Sequence, residues 1–280
     1  MKSTIPEELK QSVPQTSWGK ILAATPVVMT VVATLLAGLA SSEMTRAQYD
    51  RALGAQLQSK AGDQWSYFQA KKLRGAMQRD TLELLEATTD VHPVENPALT
   101  QVPSVAAPAP DASVHSAIEA VEQSQPESEV ARVLARVGDG TLAAALRSAR
   151  EQARNFDAAL APANQASEQL EKAVPPGDQQ AARNLAAAKM RFNAMRYDVE
   201  AKLNQNIANL LELQVRKANL SAERHHERSG MFFFGMLAAQ AAVIVSTFAM
   251  AARQRNLLWT LAALAGIAAI VFAIYVYLRV

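Results

Sequence analysis

"DQQAARNLAAAKMRFNAMRYDVEAKLNQNIANLLELQVRKANLSAERHHERSG", residues 178–230, runs for 53 residues without a proline. Its apolar residues Leu185, Ala188, Phe192, Met195, Val199, Leu203, Ile207, Leu210, Leu213 and Leu220 recur mostly three or four apart, which predicts one long helix with a narrow apolar stripe. The stripe falters near Lys217, and Asn206 sits beside it, as in a coiled-coil seam rather than the broad face of a globular core. Asp178 follows the turn-forming "PPG" of Pro175–Gly177, which makes it the expected N-cap.

A stripe that narrow needs a partner, and a second long helix is written at 41–89. That stretch also lacks proline, and Tyr49, Leu53, Leu57, Ala61, Trp65, Phe68, Leu82 and Leu85 fall on one broad side of it. The two segments, 49 and 51 residues taken as 41–89 and 179–229, would each reach roughly 75 Å at about 1.5 Å per residue. Equal lengths predict an antiparallel hairpin, with Trp65 opposite the Phe192–Leu213 part of the return helix and Lys71 and Lys72 exposed. Within the first helix, "SKAGDQWSYFQAKKLRG" (Ser59–Gly75) gathers three of the chain's sixteen aromatics. Asp63, Gln64, Trp65, Tyr67, Phe68, Gln69 and Lys71 are therefore the candidate motif. They read either as a contact surface for a partner or, as aromatics at helical spacing usually do, as packing within the hairpin.

Outside these helices lie three runs of 22 to 24 residues without Asp, Glu, Lys or Arg: Ile21–Ser42, Ser229–Ala252 and Asn256–Leu278. Roughly 20 apolar residues cover the hydrocarbon core of a bilayer, so each run is an expected span. "LAGLASS" at the end of the first also resembles a signal-peptidase site, with cleavage after Ala40 as the alternative to an uncleaved anchor. The run is longer than the about 7–15 residues of a signal h-region. Pro26 falls where the first turns of that span are expected, a position that tolerates proline.

The organisation that follows is all-α. It comprises a tail (1–20), a first transmembrane helix (21–42), the long helix of the hairpin (43–89), a proline-rich linker (90–128) and an alanine-rich helical insertion (129–177). The return helix (178–229), a second transmembrane helix (230–252), a short basic loop (253–256) and a third transmembrane helix (257–278) complete it. Breaks inside the insertion are expected at "GDG" (Gly138–Gly140) and at Pro162, and the insertion is expected to pack on the tip of the hairpin. Lys2, Lys10 and Lys20 in the tail and Arg253 and Arg255 in the short loop place both on the cytoplasmic side and the middle segment in the periplasm.

Residues 41–230 hold 22 Lys/Arg and 24 Asp/Glu, a balance that gives nucleic acid no basic surface. No cysteine is present, which removes disulfides and thiolate metal ligands. "ERHHER" (Glu223–Arg228) places Glu223, Glu227 and His226 near one face, but adjacent His225 and His226 diverge by about 100° on a helix, so a solvated helix end is the reading. His92 and His115 have no evident partners. The spans contain no ionisable residue; Gln240, Ser246 and Thr247 are the polar residues of the second, and a proton or ion route normally shows a charge there. Thr30, Thr34 and Gly38, and Ala262 with Gly266, have the four-residue spacing of small residues that lets helices approach. No phosphate-binding glycine loop, nucleophile elbow or zinc-protease helix occurs.

The stretch Lys60, Ala61, Asp63, Gln64, Trp65, Tyr67, Phe68, Gln69, Ala70 and Lys71 resembles the "K-A-x-D-Q-W-x-Y-Y-Q-A-K" pattern of the domain-of-unknown-function 4337 family of bacterial membrane proteins. "ERHHERSG" and "AARQRNLLW" before the last span are similar to that family's C-terminal pattern. The resemblance covers about 20–90 and 185–280, leaves 91–178 as an insertion, and implies the architecture without an activity. The expectation is a non-enzymatic inner-membrane scaffold with no catalytic, cofactor or metal residues. Its expected partners are the lipid bilayer and either further copies of itself or another membrane or periplasmic protein. A subunit of an oligomeric channel or transport assembly is the alternative.

Overall fold

A computed structural model describes residues 17–104, 111–251 and 255–279. Lys2, Lys10, the prolines Pro108 and Pro110, and Arg253 of the expected basic loop lie outside the described residues. Every regular element among the described residues is a helix: α1 (Ser17–Thr88), α2 (Pro97–Thr100), α3 (Ala112–Glu122), α4 (Glu127–Leu134), α5 (Asp139–Ala159), α6 (Ala161–Ala173), α7 (Gln179–Ala251) and α8 (Arg255–Arg279).

The chain divides into two compact units, Met1–Ala52 with Asn219–Val280, and Leu53–Ala218. In the first, the opening part of α1, the closing part of α7 and α8 pack together. Leu36, Ala40, Phe232 and Val276 form one cluster, and Ala33, Ala239 and Ala269 a second. Contact is close because small residues line it. A Cβ placed on Gly266 would fall 2.6 Å from the Met29 sulfur, and one on Gly235 would fall 3.4 Å from a Leu36 methyl.

Many large apolar side chains of this unit point the other way. Val31, Leu35, Phe234, Phe248, Leu264, Ile267 and Ile274 are exposed, whereas the alanines at 242, 249, 262 and 269 are buried. Water-soluble units bury the large residues, and an apolar outer surface of this extent marks contact with something apolar. Thr30, Thr34 and Gly38 belong to the outward side; both threonine hydroxyls donate back to carbonyls of their own helix, Pro26 and Thr30. Of the small-residue pairs expected to mediate packing, Ala262 and Gly266 do so and the Thr30–Gly38 set does not. Pro26 lies inside α1, which starts earlier than the apolar run itself, at Ser17.

In the second unit, α1 from Leu53 and α7 up to Ala218 run antiparallel. Arg191 Nη2 meets Glu86 at 2.5 Å, Arg79 Nη1 meets Asp198 at 2.6 Å, and Gln180 donates to the Asp90 carbonyl at 2.7 Å, so rising numbers on α1 face falling numbers on α7. Along the seam of α1, Gly54, Leu57, Ala61, Gln64, Phe68, Lys71, Gly75, Gln78, Leu82 and Leu85 are buried or half-buried, spaced alternately three and four. Tyr49, expected on the inner side, is exposed. On α7 the matching line is small, with Ala187, Ala194, Ala201 and Ala208 buried at intervals of seven. Ala194 is the member seen in contact: a Cβ on Gly75 would lie 3.7 Å from its carbonyl and 3.4 Å from Tyr197 Cβ.

Several large residues of α7 face elsewhere. Leu185, Phe192, Val199 and Leu203 pack with Leu99, Phe156, Leu160 and Ala163, on the side of α7 opposite Ala194. The stripe expected to close the hairpin therefore closes it onto the central helices, and α7 is the middle layer of three. The central segment lies along α7 rather than on a tip: Asn209 donates to Glu122 at 2.7 Å, Arg216 pairs with Glu127 at 2.9 Å, and Lys217 pairs with Asp139 at 2.6 Å.

Local signals account for the breaks. Gly138 precedes α5, and Leu160 separates α5 from α6 just before Pro162. Gly177 takes a positive φ of 89° in the turn before α7, and Asp178 accepts from the Ala181 N–H at 2.9 Å as its cap. Helix α3 falls within the stretch expected as a linker, capped by Asp111, whose carboxylate accepts from the Ser113 hydroxyl at 2.5 Å and its N–H at 2.9 Å. Those two bonds, the side-chain one foremost, hold the Asp111 carboxyl below the usual carboxylate value. The cap is therefore complete above that ordinary range and is lost as pH falls through the lowered value.

Candidate functional site

The motif residues divide by their place on α1. Gln64, Phe68 and Lys71 lie in the seam, Trp65 is half-buried beside it, and Asp63, Tyr67 and Gln69 are exposed. Trp65 stacks edge-on against Phe68, ring centroids 5.6 Å apart. The apolar cluster around Phe192 is completed by α2, α5 and α6, so Trp65 is not part of it. The Gln64 side-chain oxygen is buried with no hydrogen-bond partner among the described residues.

Lys71, expected on the exposed side with Lys72, turns into the pair instead. Its ammonium forms an ion pair with Glu200 of α7 and lies 5.4 Å from the centre of the Tyr197 ring. Arg196 donates to the other oxygen of Glu200 at 2.6 Å and stands 5.5 Å from the same ring. Glu200 is 5% exposed, the one charged residue among the buried side chains described. A buried carboxylate is costly without a cation, and here two cations flank it while the Tyr197 ring packs against both. Lys72 is exposed. The physical consequence of the arrangement is register, since Glu200 reaches Lys71 in one alignment of the two helices.

A second polar group occurs in the first unit. His225 Nδ1 lies 2.5 Å from a Glu43 oxygen and its Nε2 lies 4.0 Å from Asp50, while Arg46 meets Glu43 at 3.4 Å. Close by in sequence, the buried Ser229 hydroxyl donates to the Ala40 carbonyl at 2.8 Å. His225 is thus drawn into helix packing rather than left at a solvated end, whereas His226 is exposed. Among the described residues no group of three or more His, Asp or Glu side chains is arranged to hold a metal ion. In the expected second span, Ser246 is buried and bonds to the Val243 carbonyl, Thr247 bonds to the Ile244 carbonyl, and Gln240 is exposed.

A signal that locates the seam is present at heptad spacing: alanine or glycine at 47, 54, 61 and 75 on α1, with Phe68 at the intervening position, and alanine at 187, 194, 201 and 208 on α7. A search for large apolar residues passes over it.

A model of the family described as domain of unknown function (DUF4337) matches residues 18–161. The match runs through the proline-rich and alanine-rich centre as far as residue 161, a stretch that motif reading had set aside as an insertion. Neither curated proteins nor solved structures gave a match.

Proposed function

The chain belongs to the DUF4337 family, and on that premise we propose that it is a non-enzymatic integral membrane protein whose paired long helices act as an interaction or scaffold module. The observation that carries this reading is the inside-out first unit, with alanines buried and Leu35, Phe234, Phe248 and Ile267 turned outward. Two helices are long and apolar enough to cross a bilayer, and we read the shorter apolar helix, Thr260–Val276, as a third span. The hydrocarbon core of a bilayer offers no hydrogen-bonding group, so helices that meet in it do so through small residues and satisfied hydroxyls, as at Ala33, Ala239, Gly266 and Ser246. The Leu53–Ala218 unit is then the aqueous part, on the periplasmic side of an inner membrane, and its alternating three–four seam is that of a coiled coil.

A channel or transport subunit is the rival reading. Three uncharged spans with hydroxyls bonded to their own helices offer a polar route only through oligomerisation lined by Gln240. Purified protein reconstituted in liposomes is expected to conduct no ions above background, whatever its oligomeric state. Reproducible flux that Gln240→Leu abolishes would overturn the scaffold reading in favour of the rival.

A further inference from the structure

His225 of α7 projects between two carboxylates of α1, and all three residues belong to the first unit. Its Nδ1 lies 2.5 Å from a Glu43 oxygen and its Nε2 lies 4.0 Å from Asp50, the two acids standing about two helical turns apart. The side chains of Glu43, Asp50 and His225 are 12%, 20% and 21% exposed, so water screens them little. Glu43 has a second partner, Arg46 at 3.4 Å, whereas Asp50 has no other ion pair among the described residues. Neighbouring charges do not fill that gap. On α1, Tyr49 and Arg51 are exposed. On α7, Glu223, Arg224, His226 and Glu227 are exposed, and Arg228 has a partner of its own. No described side chain of α8 is charged.

A neutral imidazole carries one donor and one acceptor. When Nδ1–H donates to Glu43, the Nε2 lone pair is turned toward the Asp50 carboxylate, and the other tautomer only exchanges the two acids. A protonated ring donates from both nitrogens and gives Asp50 the cation that a poorly hydrated acid needs. We propose that His225, Glu43 and Asp50 form a proton-operated latch between α1 and α7, closed when the imidazole is charged and slackened when it is neutral. The group lies just beyond the uncharged runs 21–42 and 229–252, next to the bond from the Ser229 hydroxyl to the Ala40 carbonyl. The latch therefore secures the two helices where they leave the apolar bundle. Imidazole ordinarily changes charge between about pH 5 and 8, a range in which carboxylates are ordinarily ionised. The closed form holds the extra proton, so the contact tightens as pH falls through that range.

Hydrogen exchange of the full chain in detergent tests this, read as protection over residues 43–51 and 219–228 relative to the unstructured rate at the same pH. Protection is expected to be at least about fivefold greater at about pH 6 than at about pH 8, the scale of a charge-assisted hydrogen bond. His225→Gln should abolish that difference, and His226→Gln, which alters an exposed neighbour, should preserve it. Asp50→Asn gives the sharper sign. Its amide N–H can donate to the Nε2 lone pair, so protection at the higher pH should rise toward the level at the lower. Should His225→Gln lose its helical spectrum, the Asp50→Asn result decides. Equal protection at the two pH values in the unsubstituted chain overturns the proposal. So does a pH response that survives His225→Gln, or an Asp50→Asn chain less protected at the higher pH. None of these outcomes alters the liposome result, so failure here is separable from failure of the scaffold reading.

Discussion

Phe156→Ala is expected to destabilise the Leu53–Ala218 unit by about 3–5 kcal/mol, the usual range for emptying a large aromatic site in a packed interior. Phe156 is 0% exposed and lies where several helices meet. It belongs to α5, meets Leu160 and Ala163 of the α5–α6 junction, and closes on Leu185 and Phe192 of α7 and Leu99 of α2. Since a domain of this size holds only about 5–15 kcal/mol of stability, the loss is a large fraction of the whole. Urea unfolding of the solubilised chain, followed by circular dichroism, measures it. A loss below about 1 kcal/mol, the scale of a surface change, would mean that α5 is not seated on α7.

The buried ion group gives the second large effect. Lys71→Met with Arg196→Met leaves Glu200 buried with neither of its cations, and the expected cost is about 3–5 kcal/mol. Lys71→Met alone should cost less, because Arg196 remains 2.6 Å from the carboxylate. Adding Glu200→Leu to the double variant removes the uncompensated charge, so the triple variant should recover most of the loss. Recovery is the diagnostic part: simple damage to packing would accumulate with each substitution. A triple variant less stable than the double would show that these groups do not act as one unit. Lys72→Ala serves as the control and should be near neutral, its side chain being exposed.

Much of the architecture was legible because it rests on local rules. Uncharged runs, proline-free stretches, the Asp178 cap and the Gly138 and Pro162 breaks each act within a few residues of themselves. What stayed hidden was pairing. The apolar line through Leu185, Phe192 and Leu203 announces burial, but nothing in it distinguishes α1 from the central helices as the surface that covers it. The side facing α1 carries a line of alanines, whose value lies in close approach rather than in apolar area, so it gives a weak hydrophobic signal. Lys71 was misplaced for a related reason. A lysine at a seam position reads as surface until its partner, Glu200, is known to lie opposite, more than a hundred residues away in sequence. His225 was read as solvated on the same ground, its carboxylate partners Glu43 and Asp50 being far off in the chain.

The central claim is that the chain spans a membrane and presents the Leu53–Ala218 unit to the outer aqueous side. The chain contains no cysteine, so single cysteines report without background. The direct measurement is labelling of intact cells with a membrane-impermeant maleimide, comparing Ser104→Cys with Gln254→Cys. The cysteine at 104 is expected to be labelled from outside, and the one at 254 to react only after the membrane is opened. Labelling of 254 alone from outside, or of neither position in intact cells, would contradict it.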